Sequence, residues 1–317
     1  MHHEALDLSR LQPVLPSPLQ PAEDERFARH GVTLLLKRDD LIHPDLPGNK
    51  WRKLAPNLRA AAGRTVLTFG GAYSNHLRAT AAAGRLLGFP TVGVVRGDEL
   101  AARPLNPSLA RCAADGMRLH FVDRATYRSK AAPEVLDGLL SLFGACTVLP
   151  EGGSNALAAQ GCTALGHELR GQGDTVAVAC GTGGTLAGLA AGLGPGQRAL
   201  GIPVLRGGFL EDVVLNLQHE AFGSRSGQWS LDERFHFGGY ARTTPELHAF
   251  ADDFEDRHGL PVERLYVAKL LYALTALAQE GAFARGSTVT AVITGRPDRR
   301  APGPTGPSDT QSPSDSR

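Results

Sequence analysis

Short apolar runs alternate along this chain with longer stretches rich in alanine and leucine. The short runs have the length of buried strands, and the longer stretches have the length of helices. Alternation of this kind predicts βαβ units, in which parallel strands form a sheet that helices cover on both faces. The sequence therefore predicts an α/β protein, with strands at 65–69, 91–96, 118–122, 147–149, 175–180 and 289–294.

Glycine-rich turns follow several of these predicted strands, at Gly70-Gly71, Gly152-Gly153 and Gly181 to Gly184. In open α/β sheets, ligands bind outside the carboxyl ends of the strands. We therefore expect the functional site to lie at these turns.

The predicted elements divide the chain into two domains. Segment 57–150 contains about four strand–helix units, which is enough for a small domain of its own. Segments 1–56 and 151–296 then form a larger domain that the small one interrupts. From residue 297 onward, Pro, Gly, Ser and Thr dominate, and such a composition buries too little apolar surface to become ordered. We expect a disordered tail at 297–317.

Composition and charge exclude several classes of function. The chain has 317 residues, 42% of them hydrophobic, so it can fill a core. Lys and Arg number 33 against 32 Asp and Glu, so no net field attracts nucleic acid or an anionic membrane. No apolar run reaches membrane-spanning length, and residues 1–13 lack the pattern of a signal peptide. We expect a cytoplasmic protein without nucleic-acid or membrane partners.

The cysteines predict neither disulfides nor a metal site. The four are widely spaced and form no CxxC pair, so we expect buried free thiols and no metal.

The segment GNKWRKL, residues 48–54, predicts a turn into a helix that begins near Lys50. Arg52 and Lys53 flank this lysine, and their charge and the helix dipole both disfavour its ammonium form, so its pKa is expected to be lowered. An amine of lowered pKa is suited to forming a Schiff base. A basic helix start on a solvated surface explains the same residues.

A strand, a glycine loop and a helix start follow one another at 176–191. Backbone N–H groups, the helix dipole and the hydroxyls of Thr182 and Thr185 together favour the binding of one phosphate. The loop lacks the Gly-Lys-Ser/Thr of a P-loop, and Leu186 replaces the third glycine of the dinucleotide fingerprint. An ordinary tight turn is the alternative use of these glycines.

A second strand–loop–helix start carries Ser74, Asn75 and His76. Ser74 suits a helix cap, whereas Asn75 and His76 suit the binding of a carboxylate or a phenolic oxygen. Further along, Tyr240 and Tyr266 are either general acid/base groups or half-buried aromatic residues, and composition does not decide between these roles.

Taken together, these motifs resemble one family, the 1-aminocyclopropane-1-carboxylate (ACC) deaminase and D-cysteine desulfhydrase branch of the fold type II pyridoxal 5′-phosphate (PLP) enzymes, related to the tryptophan synthase β subunit. From about Leu11 to Gly295, the chain contains KRDD, GNKWRKL, GGAYSNH, PEGGSN, CGTGGT, FGGYARTTPEL and LYVAK in the family's order and approximate spacing. The resemblance implies two open, mostly parallel twisted sheets flanked by helices, with PLP in the cleft between a large and a small domain. It also implies a homodimer that acts on a small amino acid.

The resemblance assigns roles to individual residues of this sequence. It implies that Lys50 holds PLP as a Schiff base, and that Lys50, Ser74, Tyr240 and Tyr266 are catalytic. Ser74, Asn75 and His76 would bind the substrate, with Asn75 also contacting the phenolic oxygen of PLP. The remaining cofactor-binding residues would be Gly181, Thr182, Gly183, Gly184 and Thr185 at the phosphate and Thr294 at the pyridine nitrogen.

Three positions bear on the activity that the resemblance implies. The family's deaminases have Glu after the second tyrosine and Leu at the position of Thr294, whereas its desulfhydrases have small hydroxyl residues at both. This chain has Val267 and Thr294, and it has His76 where the deaminases tend to have Gln. We therefore expect a PLP-dependent lyase that converts D-cysteine to pyruvate, ammonia and hydrogen sulfide.

Two alternatives stay open. The first is ACC deaminase activity, which yields 2-oxobutanoate and ammonia. The second is a catalytically poor PLP-binding carrier, because after Gly295 the family usually continues with another glycine and an ordered segment, whereas this chain continues with Arg296 and Pro297 and then low complexity.

Overall fold

The fold contains two β-sheets flanked by helices. A computed structural model describes residues 6–46 and 48–297. The smaller sheet consists of the parallel strands β3 (Val66–Gly70), β4 (Thr91–Arg96), β5 (Met117–Val122) and β6 (Thr147–Leu149), in the order β5-β4-β3-β6. The larger sheet consists of β1 (Leu19–Ala22), β2 (Thr33–Lys37), β7 (Thr175–Cys180), β8 (Arg198–Pro203), β9 (Gln228–Leu231) and β10 (Thr288–Val292), in the order β1-β2-β10-β7-β8-β9. β1 is antiparallel to β2, and the other pairs are parallel.

Helices connect these strands and cover both sheets. They are α1 (Glu25–Ala28), α2 (Asn49–Ala61), α3 (Asn75–Leu87), α4 (Pro107–Ala114), α5 (Arg124–Arg128), α6 (Pro133–Phe143), α7 (Ala156–Glu168), α8 (Gly184–Gly192), α9 (Leu210–Phe222), α10 (Pro245–His258) and α11 (Val267–Gln279). Several begin at a polar side chain that accepts a backbone N–H, as at Ser74, Asn155 and Thr244. The predicted α/β class with two mostly parallel sheets is confirmed.

The predicted strands agree with the observed ones to within two residues at either end. The sequence pattern missed β1, β2, β8 and β9. β1 and β9 are edge strands with exposed positions, and β1 contains a proline, so neither reads as a continuous apolar run.

The larger sheet is buried on both faces. Alternate residues of β7 point to opposite sides, so Ala177 and Ala179 pack in one apolar cluster with α10 and α11. Val176 and Val178 pack in a second cluster with α7, α8 and α9. Burial on both faces explains why the central strands appear in the sequence as uninterrupted apolar runs.

The strand order brings distant segments of the chain to one edge. β2, β10 and β7 are neighbours, so their carboxyl ends lie side by side. The residues that follow these ends are the segment leading to Lys50, Thr294 and the turn 181–185, respectively. In the smaller sheet, β3 and β6 are neighbours, which places the turns 70–74 and 150–155 side by side. This is the arrangement in which α/β sheets form ligand sites.

The last described residues are tied to the larger sheet. Nε of Arg296 donates to the buried carboxylate of Asp40 at 2.8 Å, and Arg38 pairs with the same carboxylate. The predicted disordered tail lies, from residue 298 on, outside the described residues. Among the helices at 6–46 and 48–297, none is long and apolar enough to cross a membrane.

Candidate active site

Lys50 lies in the first turn of α2, where the chain passes close to the end of β10. The N-cap residue Gly48 has φ +62°, and a Cβ there would lie 1.7 Å from the carbonyl oxygen of Thr294, so only glycine fits. Nζ of Lys50 donates to Oδ1 of Asn49 at 3.1 Å, and Nδ2 of Asn49 donates to Oγ1 of Thr185 at 2.9 Å. Lys50 is thus connected, through Asn49, to the first turn of α8.

The pKa of Lys50 is lowered to about 8, mainly because burial disfavours its ammonium form. A lowered pKa agrees with the sequence-based expectation, but its main cause is burial and not the charges of Arg52 and Lys53. Arg52 is buried and directs its guanidinium away, to Asp39 at 2.8 Å and Glu168 at 2.9 Å. The alternative of a basic helix start on a solvated surface is therefore wrong.

A network of buried charged side chains connects α2 to β2 and α7. In the KRDD motif, Lys37 ends β2 and Asp39 opens a short 3-10 turn, and both side chains are buried. Lys37 pairs with Glu168 at 2.6 Å, while Arg52 bridges Asp39 and Glu168. The network joins β2, α2 and α7, and it fixes the helix that carries Lys50.

Lys53 lies one helical turn after Lys50 and is buried beside it. Its Nζ donates to Oγ of Ser154 at 2.6 Å and to Oγ1 of Thr182 at 3.4 Å. Burial, followed by the charge of Lys50, lowers its pKa to about 7. A lysine held by neutral hydroxyls at a helix N-terminus is suited to binding an anion. Sequence reasoning gave Lys53 and Ser154 no such role, although the three-residue spacing to Lys50 was a usable signal.

The turn 181–185 is shaped by close contacts to its glycines. Gly183 has φ +73°, and α8 begins at Gly184. A Cβ on Gly184 would lie 2.7 Å from Oγ of Ser154 and 3.4 Å from Cε of Lys53, and a Cβ on Gly152 would lie 2.6 Å from Oγ1 of Thr182. Because glycine has no side chain, space remains between the turns that follow β6 and β7.

His76 is buried in α3 as a neutral imidazole. The Thr68 hydroxyl donates to the carbonyl of Leu149 at 2.9 Å, so it accepts from Nε2 of His76 at 2.8 Å. Nδ1 therefore carries the lone pair, and it is buried without a partner among the described residues. Burial, followed by the charges of Lys50 and Lys53, holds the pKa of His76 well below its usual range.

Ser74 and Asn75 begin α3 and already have partners. Oγ of Ser74 accepts the N–H of Leu77 at 3.2 Å, so the expected helix cap is present. The side-chain oxygen of Asn75 accepts from the guanidinium of Arg78. Their contacts with a substrate or cofactor stay predictions.

Tyr240 and Tyr266 form an edge-to-face pair, with ring centroids 6.2 Å apart and an interplanar angle of 67°. Burial raises the pKa of both phenols, and that of Tyr266 lies well above its usual value. The carboxylate of Glu263 accepts the backbone N–H of Tyr266 at 2.7 Å. The ring of Tyr266 also lies near Gly181, since a Cβ on that glycine would be 3.4 Å from its hydroxyl. The tyrosine pair and the phosphate-type turn therefore belong to one site.

Comparisons with known proteins agree with this geometry. The profile of the family described as pyridoxal-phosphate dependent enzyme matches residues 11–295. The chain belongs to this family. It is therefore a PLP-dependent enzyme, as the resemblance implied.

The relatives of this PLP enzyme carry the two names expected from its motifs. A Pyrococcus furiosus protein provisionally named ACC deaminase is 31% identical over 272 residues, which cover 79% of this chain and 81% of that protein. The D-cysteine desulfhydrase of Salmonella paratyphi B is 28% identical over 312 residues, with 90% and 87% covered. A crystal structure of an ACC deaminase homologue superposes with a TM-score of 0.75 at 26% identity, with 92% and 90% covered.

The residues present in this PLP enzyme fit its cofactor. Lys50 is an amine of lowered pKa, as attachment of an aldehyde requires. Lys53 is a buried lysine, whose ammonium form an anion would favour, beside the glycine turn that leads into α8, and Gly184 keeps space there. An aldehyde and a phosphate thus each have a complementary group in the same site.

Proposed function

We propose that this PLP enzyme is a D-cysteine desulfhydrase, which converts D-cysteine to pyruvate, ammonia and hydrogen sulfide. The observation that carries the proposal is that this chain has Val267 where the deaminases have a glutamate, and Thr294 where they have a leucine. Val267 is fully buried in an apolar cluster and Thr294 is a neutral, half-buried residue. The relative from Salmonella paratyphi B bears the name of this activity.

Bound PLP supplies the electron sink that makes an α-proton of the substrate removable. Lys50 would hold the cofactor through Nζ, and the same atom, as a free amine, would take the α-proton. Its pKa of about 8 leaves roughly a tenth of the amine neutral at pH 7, far more than an ordinary lysine provides.

The other side chains bind and orient. Lys53 and the turn 181–185 would hold the phosphate, Asn75 would bind the phenolic oxygen, and Thr294 would serve the pyridine nitrogen. Ser74, Asn75 and His76 hold the substrate. In our proposal the phenols of Tyr240 and Tyr266 stay protonated, because burial raises their pKa, and they donate a proton to the departing sulfur.

ACC deaminase activity is the second candidate, and the name of the Pyrococcus furiosus relative favours it. The α-carbon of ACC carries no hydrogen, so ring opening cannot begin with removal of an α-proton. It therefore requires a stronger electron sink. A carboxylate beside the pyridine nitrogen would strengthen that sink by keeping the nitrogen protonated. Val267 provides none.

One assay separates these functions. Purified protein is incubated with D-cysteine, L-cysteine or ACC, and sulfide, pyruvate and 2-oxobutanoate are measured. We expect sulfide and pyruvate from D-cysteine and little 2-oxobutanoate from ACC. Efficient turnover of ACC would overturn the proposal, and bound PLP without product from any amino acid would favour the carrier function.

We also propose a cytoplasmic homodimer built from the two domains expected from the sequence. The four cysteines are free thiols, as is usual in reducing compartments. The two sheets provide a core for a domain at 57–150 and for one at 1–56 and 151–296. Light scattering on the purified protein, with a mass of two chains as the expected result, tests the dimer.

A further inference from the structure

The segment that carries Tyr240 consists of two consecutive turns. The N–H of Gly239 donates to the carbonyl of His236 at 3.0 Å, and the N–H of Arg242 donates to the carbonyl of Gly239 at 3.2 Å. Four residues of this double turn have positive φ, namely Phe237 (52°), Gly238 (87°), Gly239 (118°) and Ala241 (57°). Positive φ is strained at Phe237 and Ala241, so the double turn needs contacts from elsewhere to persist.

Lys269 provides these contacts. It is fully buried in α11, and its Nζ donates to the carbonyls of His236 and Gly239, each at 2.9 Å. These are the same two carbonyls that close the turns. Burial lowers the pKa of Lys269 to about 8, and either protonation state keeps enough N–H groups to donate to both oxygens.

Lys269 acts within one face of α11 that contacts the whole double turn. Tyr266, Lys269 and Tyr272 follow one another at intervals of three residues, so they lie on the same side of the helix. The ring of Tyr266 contacts that of Tyr240 with centroids 6.2 Å apart, and the ring of Tyr272 contacts that of Phe237 at 5.0 Å. Lys269 lies between these aromatic pairs.

We propose that Lys269 is a positioning residue that holds the double turn 236–242 in the conformation that places Tyr240 against Tyr266. Its relevance to catalysis rests on the proposed function, in which the two phenols deliver a proton. The placement of Tyr240 itself does not depend on which substrate is used. The residue therefore acts through Tyr240 and touches neither substrate nor cofactor.

The test observes the tyrosines directly. The chain has five tyrosines, so protein containing 3-fluorotyrosine gives five ¹⁹F resonances that single Tyr→Phe variants assign. In the PLP-bound protein, Lys269→Met should shift and broaden the resonances of Tyr240 and Tyr266 and leave that of Tyr73 unchanged. Lys269→Gln keeps an N–H donor and should return the Tyr240 resonance partway to its wild-type position.

A second lysine provides a matched control. Nζ of Lys130 lies 4.8 Å from the ring centroid of Tyr127, so Lys130→Met should move the Tyr127 resonance and not that of Tyr240. Wild-type positions of Tyr240 and Tyr266 in folded Lys269→Met would overturn the proposal. If Lys269→Met does not fold, Lys269→Leu replaces it because it also lacks a donor, and a Tyr240 resonance unmoved from wild type in that folded variant overturns the proposal as well.

Kinetics connect the position of Tyr240 to turnover. We expect Lys269→Met to lower kcat for sulfide release by ~100-fold, the scale of a reacting group displaced by about 1 Å. In a Tyr240→Phe background the same change should have little further effect, because both substitutions remove one function. Fully additive losses would contradict action through Tyr240. A protein that releases no sulfide but shows the expected resonance shifts would instead contradict the proposed function alone.

Discussion

Two lysines one helical turn apart have different partners, and their chemistry differs accordingly. Lys50 has a pKa of about 8 and is linked to Asn49, whereas Lys53 has a pKa of about 7 and is held by Ser154 and Thr182. The first environment suits covalent attachment of an aldehyde, and the second suits an anion.

Lys50 should be the residue that borohydride joins to the cofactor. We expect the purified protein to be yellow, and reduction followed by digestion should add the mass of reduced PLP to the peptide that contains Lys50. Lys50→Ala should lose this modification, whereas Lys130→Ala should keep it. A reducible attachment that persists in Lys50→Ala, detected by mass spectrometry, would contradict the assignment.

Anion binding at Lys53 should depend on pH. An anion favours the ammonium form, so it raises the pKa of Lys53 above its value of about 7 in the free site, and binding above pH 7 takes up a proton. Affinity for sulfate in the PLP-free protein should therefore fall by up to about tenfold per pH unit between pH 7 and 9. Sulfate does not titrate in this range, so the slope reports the protein.

Calorimetry in buffers of different ionisation enthalpy measures both the affinity and the proton uptake. Lys53→Met should bind sulfate weakly with a flatter pH profile. An unchanged slope in that variant would show that another group binds the anion.

At the scale of elements, the neighbouring glycines Gly183 and Gly184 at the start of α8 are required for different reasons. Gly184 has no positive φ, and its Cβ would meet Ser154 and approach Lys53. Gly184→Ala should therefore fold normally but lose more than about tenfold in PLP affinity, because the methyl group displaces Ser154 and crowds Lys53, the lysine that we propose binds the phosphate.

Gly183→Ala is the matched variant. Gly183 has φ +73°, and a Cβ there would lie 2.9 Å from Cγ2 of Val214 in the core. We expect a loss of about 1–2 kcal/mol in the free energy of unfolding from the backbone conformation alone. Thermal unfolding and PLP titration of Gly183→Ala and Gly184→Ala test whether the first mainly loses stability and the second mainly loses PLP affinity. Equal losses of PLP affinity at unchanged stability would show that the two positions serve the phosphate alike.

The sequence predicted those parts of the fold and site that local pattern determines. β7, its glycine turn and the start of α8 form one continuous signal, and Lys50 and Ser74 stand at recognisable helix starts. Ser154 and Lys53 meet across 101 residues of sequence, and Lys269 reaches Gly239 across 30. Such contacts depend on strand order and helix packing, which no local window contains.

At the scale of the whole molecule, the proposed choice between two reactions involves a helix and a strand that meet near the site. Val267 begins α11, Thr294 follows β10, and Val267 packs in the same cluster as Ile293. Val267→Glu together with Thr294→Leu should shift the product ratio from sulfide toward 2-oxobutanoate. The new carboxylate lies in an apolar cluster, so the PLP-free protein should lose several kcal/mol of stability.

The control for this prediction is Val267→Gln with Thr294→Leu, which has similar volume and no charge. It should not gain activity toward ACC. A gain equal to that of the Glu variant would show that cavity shape, not the protonation of the pyridine nitrogen, separates the two reactions.

The position of β10 between β2 and β7 also affects how the protein folds while it is being synthesised. In chain order β10 follows every other strand, yet it occupies the centre of the larger sheet. Until the ribosome has delivered it, β2 and β7 each present an unpaired edge of apolar backbone, which is prone to association with other chains. The smaller sheet is complete by Leu149, so it is free to fold while the remainder is still being translated.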